Sequence, residues 1–115
     1  MVDMPKELEH DINEFQTAQN QLQMIVIQKQ QVKMQLEEID DALEELKGKS
    51  GKVFKSIGSV LVESKADDVV KELNEDKETM KVRIGVFGKQ EEKLRGRLVE
   101  LKSKIEKAAG AMGAA

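Results

Sequence analysis

The chain has 115 residues, 36% of them charged and 3% aromatic, with a formal net charge of −3. That is one domain at most, with too little apolar material for a globular interior, and it suits a long solvated helix pair whose dry region is a narrow seam. The mild acidity, with Lys and Glu interleaved, argues against nucleic acid as a partner, and the absence of cysteine excludes a disulfide framework and a thiolate metal site.

At the amino terminus Pro5 stands where a first helical turn accepts a residue without an N–H, and Glu7 and Glu9 favour the positive end of the helix dipole. A first helix is predicted over residues 5–47, an arm about 60 Å long at the helical rise. Its heptads place Leu8, Phe15, Leu22, Lys29, Leu36 and Leu43 at a, and Asp11, Ala18, Ile25, Val32, Ile39 and Leu46 at d, so that only Lys29 and Asp11 break the apolar seam. The longest apolar run in this arm is Met24 to Ile27, too short to cross a membrane, and the acidic, polar start is no signal peptide. A soluble, cytoplasmic protein is expected.

Gly48, Ser50 and Gly51 end the first arm. The run GKSGK over residues 48–52 has the tail of a phosphate-binding loop, but that loop needs a glycine where Leu43 stands inside a helix, so a hinge is the better reading. Residues 52–64 are predicted to form a β-hairpin, because β-branched residues flank Gly58-Ser59 and a glycine at the first central position marks a type II′ turn. That turn pairs Ile57 with Val60, Lys55 with Val62, and Phe54 with Glu63. One face then carries Val53, Ile57, Val60 and Val62, and the other Phe54 and Leu61. A lone two-stranded hairpin is marginal in water and its edges invite pairing, so one with two apolar faces implies assembly with hairpins of other subunits into a larger sheet or barrel.

A second helix is predicted over residues 66–107, capped by Ser64 or Asp67. Its a positions are Val70, Lys77, Ile84, Glu91, Leu98 and Ile105, and its d positions Leu73, Met80, Phe87, Leu94 and Leu101. Folding the chain at its middle brings Leu46 to Val70, Leu36 to Met80, Leu22 to Leu94 and Phe15 to Leu101, the a-to-d pairing of an antiparallel coiled coil. Lys29, Lys77 and Glu91 interrupt the seam as devices that fix register. Gly85, Gly88 and Gly96 fall on outward positions, each costing about 1 kcal/mol relative to Ala, which makes this arm locally soft. Residues 108–115, AAGAMGAA, show no apolar period and are expected to form a flexible tail.

No catalytic constellation is present in the sequence: His10 is the sole histidine and lies on an outward heptad position, and the carboxylate pairs Glu37-Glu38, Asp40-Asp41 and Glu44-Glu45 sit on a helix with no concave site around them. Neither a metal site nor a cofactor is expected, and the chain is read as no enzyme. A different surface stands out where the two termini meet, with Met4, Leu8, Ile12 and Phe15 beside Leu101, Ile105, Ala108, Ala109 and Met112. Flexible Met and Ala side chains there offer adaptable apolar surface to varied partners.

The segment NEFQTAQNQLQMIVIQKQQVKMQLEEIDDALEEL, residues 13–46, resembles the Gln-rich first helix of the β-type subunit of prefoldin. VFKSIGSVLVES, residues 53–64, looks like that subunit's single hairpin, and GKQEEKLRGRLVEL, residues 88–101, is similar to its second helix. The resemblance covers essentially the whole chain, and the length looks like the archaeal form. It implies a hexamer of two α-type and four β-type subunits, with hairpins joined in a β-barrel platform and six coiled coils hanging from it. It further implies an ATP-independent chaperone that holds unfolded polypeptide clients at the tips and delivers them to a group II chaperonin. On that basis assembly falls on Val53, Phe54, Ile57, Val60, Leu61 and Val62, and client binding on Met4, Leu8, Ile12, Phe15, Leu101, Ile105, Ala108 and Met112. The glycines at 85, 88 and 96 depart from the helix formers usual in this family. The competing function is a structural coiled-coil adaptor whose hairpin docks one specific partner.

Overall fold

A computed structural model describes residues 4–113. The element order is α1 (Lys6–Leu46), β1 (Lys52–Ile57), β2 (Val60–Lys65) and α2 (Ala66–Gly113). The mainly α fold predicted from the heptads is thus present: two long helices flank a single antiparallel hairpin.

Pro5 accepts the first helical bond of α1, from the Glu9 N–H at 3.0 Å. The helix stops where Gly48 takes a left-handed conformation, φ 70°, which a residue with a Cβ adopts at a cost. Between β2 and α2 there is no loop, and neither expected cap is used as such. The Ala66 N–H donates instead to the carbonyl of Gly51 at 2.8 Å, and Asp67 and Asp68 occupy the first turn, where the dipole favours acidic groups.

At the other end of α2, the structure corrects the expectation of a flexible tail from Ala108. The helix continues to Gly113. Two physical reasons combine: Ala108, Ala109 and Ala111 are the best helix formers, and the heptad continues, with Ala108 at the next d position and Met112 at the next a, both half-buried. Ala114 and Ala115, also part of that tail, lie outside the described residues.

The chain divides into two compact units. One unites the residues up to Lys29 with those from Val86 on, and its core is Leu8, Ala18 and Leu101, with Leu101 wholly enclosed at 0% exposure. The other is Gln30–Gly85, which holds buried Val32 and Ala66 and the hairpin. In both, a and d positions from Leu8 to Met112 are buried or half-buried while most other helical positions are exposed, which is the burial pattern of a two-helix seam.

Polar seam residues find partners across the helix pair. In the first unit Lys29 donates from Nζ to Oε2 of Glu91 at 2.9 Å, so two of the three interruptions from opposite arms neutralise each other. In the second, Lys77 reaches Oδ1 of Asp40 at 2.7 Å. Among the described residues no polar or charged side chain is fully buried.

Candidate functional site

Two surfaces carry the features that the sequence singles out. In the hairpin, the register pairs Ile57 with Val60, Ser56 with Leu61, Lys55 with Val62, Phe54 with Glu63 and Val53 with Ser64, as the two-residue turn requires. Gly58 has φ 59° and, among the described residues, none other than glycine has a positive φ, so Ser59 is excluded from it, the pattern of a type II′ turn. Since directly opposed residues share a face, Val53, Ile57, Val60 and Val62 line one side and Phe54 and Leu61 the other.

Those side chains are left in water. Phe54 and Leu61 are each 69% exposed, and Ile57, Val60 and Val62 are exposed as well, while Val53 near the base is half-buried. The hairpin is tied to the helices through the Gly51–Ala66 hydrogen bond at its base and an ion pair between Lys55, within β1, and Glu72. A salt bridge from Lys52 to Glu63 at 3.3 Å runs between the strands. Burying a large apolar side chain is worth roughly 1.5–3 kcal/mol, so this hairpin presents several unused increments on each face.

The second surface lies where the start of α1 meets the end of α2. Pro5, Leu8, Ala108, Ala111 and Met112, rimmed by Glu7, Asp11, Lys104 and Lys107, enclose a groove of about 650 Å³. On a second groove there, of about 350 Å³, Ile12, Phe15 and Ile105 are joined by Gln16, Gln19, Lys102 and Glu106. Leu8 and Leu101 are buried and form the packed floor of this end, whereas Ile12, Phe15, Ile105, Ala108 and Met112 are half-buried and Met4 is exposed. The structure therefore gives the eight sequence-predicted residues two different parts: two hold the helices together and six present surface.

Electrostatics at this end tie the helices. Arg97 Nη2 donates to Oε1 of Glu14 at 2.7 Å, and Nη1 donates to Oε2 of Glu100 at 3.2 Å. The hydrogen bond from Arg97, with its charge, holds the Glu14 carboxyl below its ordinary range, and the two carboxylates raise the guanidinium in turn. Glu91 is likewise lowered, by the hydrogen bonds from Lys29 and then Arg95.

Sequence reasoning missed Pro5, Ala111 and the charged rim of the first groove. The signal that finds them is the continued heptad: once Ala108 and Met112 are read as d and a, their neighbours follow. It also passed over outward apolar residues along the helices, among them Met24, Ile27, Met34, Val82 and Val99, all more than half exposed. Met24, Ile27 and Met34 lie at the outward c and f positions of α1, and the run from Phe15 to Gln28 contains no charge. The GKSGK segment is a turn, with Gly48 and Gly51 both at positive φ. His10 lies exposed, 3.7 Å from Glu14. Among the described residues no three potential ligands converge on a metal position, and no helix is long and apolar enough to cross a membrane.

Comparison with known proteins places this geometry in context. A family profile described as Prefoldin subunit matches residues 9–111. The chain is 39% identical over 108 residues to the prefoldin subunit beta of Archaeoglobus fulgidus, covering 92% of this chain and 93% of that relative. It is 35% identical over 109 residues to the prefoldin subunit beta of Pyrobaculum calidifontis, covering 93% and 87%. Among solved structures, the crystal structure of the prefoldin beta subunit from Thermococcus strain KS-1 superposes with a TM-score of 0.81 at 34% identity, covering 94% of this chain and 96% of that one.

Proposed function

The chain belongs to the prefoldin subunit family, whose members are chaperone components that assemble with other prefoldin subunits, and from that premise we propose that it is the β-type subunit of an ATP-independent holdase. In this reading four copies join two α-type subunits through their hairpins in the cytoplasm. The complex binds unfolded polypeptide at the paired termini and passes it to a group II chaperonin.

The observation that carries the proposal is the hairpin, whose Phe54, Ile57, Val60 and Leu61 are all more than half exposed. Such a surface is costly for a monomer and useful for a platform. Client capture rests on the grooves beside Met112 and Ile12, where side chains are apolar, shallow and adaptable rather than shaped for one ligand. Weak grooves suffice when several act together, because each contact raises the effective concentration of the next. No nucleotide enters the scheme.

The test uses the full complex with its α-type partner and a chemically denatured client, without nucleotide. Replacing Met4, Ile12 and Met112 together by Ser is expected to leave the hexamer mass unchanged and to weaken suppression of client aggregation several-fold. Full protection by the variant would overturn the assignment of clients to this end, whereas a fall in mass would point to a role in assembly.

A further inference from the structure

Within α2, Gly88 and Gly96 bracket seven residues that are unlike the rest of the helix. Neither glycine is demanded by packing: a Cβ at either would meet nothing within 4 Å, and neither has a positive φ. Each nevertheless makes helix formation at its position about fivefold less favourable than alanine would. Between them the seam is represented by Glu91 and Leu94 alone, and Glu91 is a charged residue at a position that packs best when apolar.

The contact that replaces apolar packing is the Lys29–Glu91 pair at 2.9 Å, with Arg95 adding a bond to the other carboxylate oxygen at 3.0 Å. Lys29 and Glu91 keep 25% and 18% of their side-chain surface exposed, so water and salt reach the pair. Ion pairs open to solvent contribute little and are screened, in contrast to the enclosed Leu101 that follows on the same helix. Weak helix propensity and a weak seam therefore coincide over the same two turns, and a segment with few buried apolar contacts is where local opening occurs.

We propose that α2 opens locally between Gly88 and Gly96, with Lys29–Glu91 as the latch, while the seam from Leu98 to Ile105 stays closed. Opening lifts Leu94 from the seam and bares Leu22 and Ile25. Both belong to the charge-free run from Phe15 to Gln28, in which Met24 and Ile27 are already exposed. The device is thus a reversible enlargement of an uncharged apolar surface, built into the chain and independent of any ligand.

Native-state hydrogen exchange on the full-length chain, read by mass spectrometry across a series of sub-denaturing urea concentrations, tests it. Amides of residues 89–97 are expected to exchange at least tenfold faster than those of residues 98–107, with a rate nearly independent of urea, whereas the rates of the latter rise with urea. The double variant Gly88→Ala/Gly96→Ala should slow exchange of the segment about twenty-five-fold, or until it meets the rate of the flanking residues, two steps of about fivefold each. A second variant, Lys29→Leu/Glu91→Leu, should slow it too by making the seam continuous. Equal rates and equal urea dependence in the two segments of the unaltered chain would overturn the proposal, as would an unchanged rate in the alanine variant.

Discussion

The hairpin and the seam near the paired termini place the same kinds of side chain in opposite surroundings. At the seam, Leu101 has no exposed surface and Leu8 almost none, because each a or d residue has a facing helix to enter. In the hairpin, Leu61 and Phe54 are both 69% exposed, because among the described residues none packs over the strand face that carries them. A leucine in the first place contributes to the stability of the chain; a leucine in the second contributes only when something else arrives. The difference separates residues that fold this protein from residues that assemble it, and it can be probed directly.

The largest effect is expected from polar substitution of the hairpin. Ile57→Asp with Leu61→Asp should leave the helical circular dichroism of the chain in place and reduce the complex formed with an α-type subunit to small species, as measured by light scattering. Retention of the full mass would show that the exposed faces are not what assembles. Next comes Leu101→Ala, for which loss of a fully enclosed leucine costs about 2–5 kcal/mol. Urea unfolding at fixed protein concentration should register that loss, and the contrast with the hairpin collapses if the cost is below about 1 kcal/mol.

The smallest effect concerns the polar layer that interrupts the seam. Lys29 and Arg95 hold the Glu91 carboxyl below its ordinary 4.5. A carboxyl whose folded value is depressed adds stability that is fully present above the unfolded value and is lost as pH falls through the folded one. The thermal midpoint of the natural chain should accordingly drop more steeply than that of Glu91→Gln as pH is lowered from 4.5. Parallel curves for the two proteins would mean that the pair contributes no pH-dependent stability.

Much of the fold was legible because it depends on spacing alone. The heptads from Leu8 to Leu46 and from Val70 to Ile105 identify both helices and the side each buries, and Gly58-Ser59 fixes the hairpin register, since a two-residue turn leaves no slack. The end of α2 was misread for a reason of scale. Over Ala108–Gly113 the glycines weigh against helix locally, and the alanines together with the continuation of the seam through Ala108 and Met112, which line one groove with Pro5 and Leu8, tip the balance. The candidate site was legible as a set of residues but not as a division of labour: sequence grouped Leu8 and Leu101 with Met4 and Met112, and burial distinguishes them.

Sequence by itself determined the helical period, the break at Gly48, the hairpin register and the presence of charges within the seam, because each follows from local backbone preference or from the repeat of side chains along one chain. Only the tertiary structure decided that Lys29 meets Glu91, that Arg97 meets Glu14 and that Leu101 is enclosed while Met4 is not. Those outcomes depend on which atoms of two distant segments come within contact, and a one-dimensional pattern specifies faces without specifying the distances between them.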